Sequence, residues 1–253
     1  MLTCLTLSSC ATSPLGRHQL KIFPNASLVK MGVNSFDGMK KETPLSTNKK
    51  QIKLTQCVAN AITKHVSKSV FSGSWEVQVF DSEQVNAFAL PGGKIGVYSG
   101  LLKVAKTPAQ LAAVIGHEVG HVIAEHGNER MSASVMTQYG MEFTREILQS
   151  QGVEHSDKWL EVAGIGTQVL LVLPYGRSHE SEADLIGLDL MAKAGFEPQA
   201  SVQLWQNMAK VSGKRQVELL STHPAPDTRI AQLSQRMPSA NQLYSNASKT
   251  NCF

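Results

Sequence analysis

Apolar residues along this chain fall mostly at helical spacing, and strict alternation is confined to a short stretch in its first half. Ile52, Val58, Ala61, Ile62 and Val66 share one face of an amphipathic helix predicted over residues 47–68. Residues 75–80, Trp-Glu-Val-Gln-Val-Phe, alternate as a half-buried strand does. Residues 84–100 read as two β segments about Pro91-Gly92-Gly93, a strong turn signal. The next helix is the most legible. Thr107 can cap it, Pro108 suits its first turn and Gln110 completes a capping box. Leu111, Val114, Ile115, Val122 and Ile123 supply its apolar positions to about residue 125. Helices follow over 128–149 and over 158–173, the second broken by Pro174-Tyr175-Gly176. Another begins near Ser178 and ends on Gly195, with Pro198 just beyond. Two more cover 199–211 and 228–237. The order predicts an α+β fold, mostly helical, with one small sheet. It divides into residues 1–10, a leader remnant; 11–46, a tether leading loosely into the domain; 47–240, the folded domain; and 241–253, a loosely ordered tail.

Composition narrows the class. Hydrophobic residues make up 42% and charged residues 17% of 253, which is ordinary for a globular chain. Aromatics at 6% and a net charge of +4 without a dense basic block argue against a nucleic-acid platform. No apolar run reaches the roughly 20 residues that span a bilayer; residues 162–174 come nearest, interrupted by Gly164, Gly166 and Gln168. The first ten residues look like the end of an apolar export signal lacking its positively charged start, which places the true start upstream. Leu7-Ser8-Ser9-Cys10 is similar to a bacterial lipobox, which makes Cys10 the lipidated first residue of the mature protein, and Ala11 after it favours the outer membrane. Cys57 and Cys252 then remain as an even pair in an exported protein, a candidate disulfide tying the tail to an early helix.

The chemical signal is His117-Glu118-Val119-Gly120-His121. Residues four apart share a helical face, so both histidines can hold one metal ion. Glu118 lies about 100° round the helix from His117, within reach of a water on that ion. A catalytic zinc takes three protein ligands and keeps an open position. The metzincin extension would need Gly at 124 and His at 127, where this chain has Ala124 and Gly127; His126 is one place off and reads as structural or as a group behind the metal ligands. A distant ligand is available in Arg177-Ser178-His179-Glu180-Ser181-Glu182-Ala183-Asp184. Glu180 can bind the metal while Asp184, four residues on, reaches the free ring nitrogen of a ligand histidine and fixes its tautomer. Glu182 points away and reads as solvated or structural. In Ser221-Thr222-His223-Pro224, His223 could stabilise an oxyanion or occupy the open metal position in a latent state. Arg229 could assist with charge or hold that loop by a salt bridge.

Val85-Asn86-Ala87-Phe88-Ala89-Leu90-Pro91-Gly92-Gly93, HEVGHVxxxH, RxxExEAD and STHPxPxxR, in that order, resemble the membrane-associated zinc peptidases of the HtpX and CAAX-prenyl-protease type. The closest likeness is to their bacterial lipoprotein branch, the BepA-type and Oma-type enzymes, over roughly residues 50–237. The resemblance implies a gluzincin-like fold with one Zn2+ per chain on His117, His121 and Glu180, Glu118 as base, Asp184 behind a ligand, and His223 and Arg229 at the cleft. It also implies that the strand from Asn86 through Ala87 and Phe88 to Ala89 borders the cleft, where an extended substrate could add as a strand. The expected function is metalloendopeptidase action on misfolded or misassembled cell-envelope proteins, in the periplasm, from a lipid anchor. The alternatives are a chaperone-like or scaffold factor with latent proteolysis, or a non-enzymatic zinc-binding lipoprotein. Intact Glu118 argues against the last, because a structural zinc site needs no base.

Overall fold

The computed structural model describes residues 10–150, 173–212 and 226–252. The fold is α+β and mostly helical, and the chain divides into two compact units: residues up to Phe23 with Glu125–His179, and Pro24–Ala124 with Glu180–Phe253.

In the first unit, β1 (Cys10–Thr12) and β2 (His18–Leu20) form an antiparallel hairpin with Cys10 opposite Leu20. Helix α4 (His126–Ser150) is tied to this hairpin near its start. Arg17 donates to both oxygens of buried Glu129 at 2.8 Å, and Gln19 Nε2 donates to Oε2 at 2.8 Å. Asn128 and Ser132 take the backbone amides of Phe23 and Ile22.

In the second unit, α1 (Asn25–Glu42) and α2 (Lys49–Thr63) precede a three-stranded sheet of β3 (Glu76–Phe80), β4 (Ala87–Leu90) and β5 (Lys94–Tyr98). The order is β3-β5-β4, with β5 parallel to β3 and antiparallel to β4. The β4–β5 turn runs through Gly92 and Gly93, whose φ values of 89° and 70° a side chain would disfavour. Helix α3 (Pro108–Ile123) packs on β4 and α2. Thr107 Oγ1 accepts from the Gln110 amide at 3.2 Å, while Gln110 Oε1 reaches back to the Lys106 amide at 2.8 Å. Among the described residues, helices α5 (Leu173–Lys193), which belongs to this unit from Glu180 onward, α6 (Gln199–Ser212) and α7 (Pro226–Asn246) follow. Val58, Ile62, Val97, Leu111, Ile115, Met191, Leu204 and Leu233 join α2, the sheet and α3 to the later helices in one core. Gly195, at φ 79°, closes α5: its amide bonds to Ala192 and that of Phe196 to Met191, the paired C-terminal cap that its sequence position predicts.

Three expectations are corrected. Residues 11–46 are not a loose tether throughout, since α1 is a helix of 18 residues whose Leu28, Gly32 and Phe36 are buried. Its stripe is only three positions wide and one of them is glycine, so periodicity hardly registers. Gly32 is needed because an added Cβ would sit 2.2 Å from the Pro91 carbonyl oxygen. The helix expected to begin near Ser178 already includes Leu173, so Pro174 and Gly176 lie within the first described turn of α5. Helix α7 continues through Pro238 to Asn246, carried by the burial of Ala240 against the core, so residues 241–246 are not loose. The predicted helix over 158–173 and the leader remnant lie outside the described residues, apart from the last residue of each.

Cys57 on α2 is disulfide-bonded to Cys252, beyond α7, closing a loop with a sequence separation of 195. Cross-linking across so long a loop removes much of the unfolded chain's freedom. Replacing Cys252 by Ser is expected to lower unfolding free energy by roughly 2–5 kcal/mol, read from urea transitions, and reductant should lower the unaltered protein to the same level.

Candidate metal centre

His117 and His121 lie one turn apart on α3, and Glu180 and Asp184 one turn apart on α5. The two helices can meet here because small residues line both sides of the crossing. An added Cβ on Gly116 would lie 2.8 Å from the Gly187 carbonyl oxygen, and one on Gly120 2.7 Å from that of Ala183. A Cβ on Gly187 would meet the His117 amide nitrogen at 2.6 Å. The backbones are therefore in contact, and side chains as short as Glu and Asp reach across. The signal was present in the sequence as Gly116-x-x-x-Gly120 and Ala183-x-x-x-Gly187, one small residue per turn on each helix.

The donors converge. Nε2 of His117 and Nε2 of His121 are 3.1 Å apart, and the Glu180 oxygens lie 3.3 Å from the first and 3.4 Å from the second. A tetrahedral ion with bonds of about 2.0–2.1 Å holds its ligands about 3.3 Å apart; the two histidine nitrogens are near that spacing, and Glu180 faces them with Oε2 toward His117 and Oε1 toward His121, so the three side chains could hold one ion. All three side chains are buried, as is Glu118 at 5% exposure. Asp184 Oδ1 accepts from His117 Nδ1 at 2.9 Å, which leaves Nε2 as the lone-pair donor facing its neighbours. Arg229 of α7 donates to both oxygens of Asp184, from Nε at 2.5 Å and Nη2 at 2.7 Å, and pairs with Glu180 at 3.4 Å. Arg229 is 1% exposed, and its Nη2 also lies 3.1 Å from Nδ1 of His117.

These contacts set the electrostatics. Burial and the Arg229 charge press the His117 pKa down, but hydrogen bonds to Asp184 and Glu180 outweigh them and raise it to about 9. Burial acts to raise the Asp184 pKa, yet the Arg229 charge and hydrogen bonds hold it below the usual carboxylate range. The metal-free centre thus stabilises a proton where a metal cation would sit.

Asn86 precedes β4, which contains Ala87, Phe88 and Ala89; β4 is an edge of the three-stranded sheet, bonded to β5 on one side and packed against α3. Glu182 is buried, not solvated. His223 lies outside the described residues. His126 is fully buried in the first unit, its ring stacked on His179 at 4.2 Å and 20°. His179 Nε2 donates to Glu129 at 2.9 Å. His126, Glu129 and His179 could gather round an ion. However, Glu129 already accepts from Arg17, Gln19 and His179, and near-parallel rings do not aim their lone pairs at one point, so the group reads as a buried ion-pair hub.

Two histidines on one helix, a glutamate from a second and a carboxylate behind the first histidine define a metallopeptidase centre of the two-His-one-Glu kind. Residues 48–237 match peptidase family M48, and the chain belongs to that family. It is 37% identical over 188 residues to the mitochondrial metalloendopeptidase OMA1 of Arabidopsis thaliana, covering 74% of this chain and 36% of that protein. It is 30% identical over 173 residues to the beta-barrel assembly-enhancing protease of Yersinia pestis, covering 64% of this chain and 34% of the relative. The metalloprotease LoiP of Escherichia coli is 29% identical over 198 residues, covering 78% and 75%. The chain spans between about a third and about half the length of the OMA1 relatives it matches.

Two outcomes are expected. Gly187→Ala should cost about 1–3 kcal/mol by forcing the helices apart and should weaken metal binding in a competitive chelator titration; unchanged affinity would separate ligand geometry from the crossing. Metal uptake must also displace the His117 proton. With its pKa raised from 6.5, that proton stabilises the metal-free fold fully below about pH 6.5, and the contribution is lost as pH rises through about 9. Metal affinity moves the other way, climbing with pH toward about 9 by close to one proton per ion, which chelator competition at several pH values measures.

Proposed function

We propose that this chain is a zinc-dependent metalloendopeptidase. The observation that carries the reading is the convergence of three buried metal-binding side chains, His117, His121 and Glu180, with Glu118 beside the histidines on α3. A zinc ion held by His117, His121 and Glu180 would lower the pKa of a water in its open position and polarise the scissile carbonyl. Glu118 takes the water's proton and passes it to the leaving amine. Asp184 holds the His117 tautomer, and Arg229 holds Asp184 and Glu180 in register. As the edge strand of its sheet, β4 could pair its outer backbone groups with an extended polypeptide, which favours unfolded substrates over folded ones.

Misfolded or misassembled envelope proteins are the proposed substrates, met in the periplasm, with one Zn2+ per chain and a lipid on Cys10. The Cys57–Cys252 disulfide supports an oxidising compartment, and the names of the Yersinia relative and of LoiP are those of bacterial proteases. Among the described residues no helix is long and apolar enough to cross a membrane, so the proposed attachment is the lipid.

Glu118→Gln is expected to lower turnover of casein or of an unfolded porin by roughly 10²–10⁴-fold while leaving metal content unchanged. If the variant and the unaltered protein cleave alike, and chelation alters neither, the peptidase reading is wrong.

A further inference from the structure

Sequence patterns singled out Arg229 but not Trp205, which lies on α6. The structure puts the two together. The Arg229 guanidinium carbon lies 3.7 Å from the centre of the Trp205 ring, so the indole covers one face of the cation. The same indole meets the His117 ring edge to face, with centroids 6.3 Å apart and planes at 81°. Trp205 is 4% exposed and Arg229 1%, so no water competes for that face.

This geometry sets the plane of the guanidinium. Arg229 must present Nε and Nη2 to Asp184 and Nη1 to Glu180 at once. Rotation out of that plane would loosen both carboxylates, one of which orients His117 while the other is itself a donor. A planar cation stacked on an aromatic face is confined to the orientation that keeps its donors in line. We infer that Trp205 is a positioning residue for the metal centre, acting through Arg229 on Asp184, His117 and Glu180. The inference rests on the metal-centre reading above and adds a residue from α6, a fourth helix beside α3, α5 and α7, to the groups that decide metal affinity.

The chemistry of the face is what matters here, more than its bulk. Fluorinated tryptophans introduced at position 205 alone drain the ring's negative face while preserving its shape. Metal affinity of the full chain, measured by competition with a chromogenic chelator, is expected to fall stepwise with fluorine number. Replacement of the ring by Leu should weaken affinity by roughly 10- to 100-fold, the usual effect of losing a group behind a ligand. Trp205→Phe should recover most of that loss. With a peptide substrate, kcat should fall and KM stay near its original value. In an Arg229→Gln background, fluorination should have no further effect on affinity.

A flat fluorination series, or equal losses in Trp205→Phe and Trp205→Leu, would overturn the inference even if Trp205→Leu folds poorly, since the fluorinated chains keep the native packing. Failure of the unaltered protein to bind metal would overturn it together with the metal-centre reading. A flat series on a protein that binds metal would overturn it alone.

Discussion

The backbone contact between α3 and α5 is the constraint on which the centre depends. Gly116, Gly120, Ala183 and Gly187 remove the side chains that would otherwise hold two helices 8–10 Å apart. Only at this closer approach do histidines from one helix and carboxylates from the other share a common point. The tight turn between β4 and β5, the C-terminal cap at Gly195 and the long-range disulfide all serve a scaffold that keeps this crossing fixed. A loop-borne site would not hold three donors at 3.1–3.4 Å.

Burying this much charge is expensive unless each group is satisfied. Arg229 offsets Asp184 with two hydrogen bonds, and the remaining negative charge on Glu180 is met by the raised proton affinity of His117. The same carboxylates that favour a proton on His117 could equally accommodate a divalent cation. Asp184 serves both, as a partner for the imidazolium and as the group that orients the neutral ring. Such a centre is built before its ion arrives, which limits the reorganisation that binding requires.

Much of the fold was legible because its signals are local. Thr107 and Pro108 mark the start of α3, Gly92 and Gly93 the β turn, and Gly195 the end of α5, and each acts within a few residues of chain. Helix α1 was not legible, because its buried stripe is short and includes a glycine whose purpose is contact with Pro91, far along the chain. The extension of α7 past Met237 was hidden for a similar reason: Pro238 speaks locally for an ending, and burial of Ala240 overrides it. For Glu182 the sequence left a solvated and a structural role open, because helical position alone does not say what covers a face; its burial fits the structural one.

For the centre itself, the sequence determined the chemistry on offer: two histidines one turn apart with a glutamate between them, and a Glu and an Asp one turn apart sixty-odd residues on. Those are periodicity statements, and helical periodicity is a local property. Tertiary structure decided that Asp184 pairs with Nδ1 of His117, that Arg229 pairs with carboxylates, that Trp205 lies on its face, and that His179 donates to Glu129. Each of these depends on which faces of distant helices are pressed together. That is set by the summed packing of the core and by small residues at the crossings, and no single segment of the chain contains it.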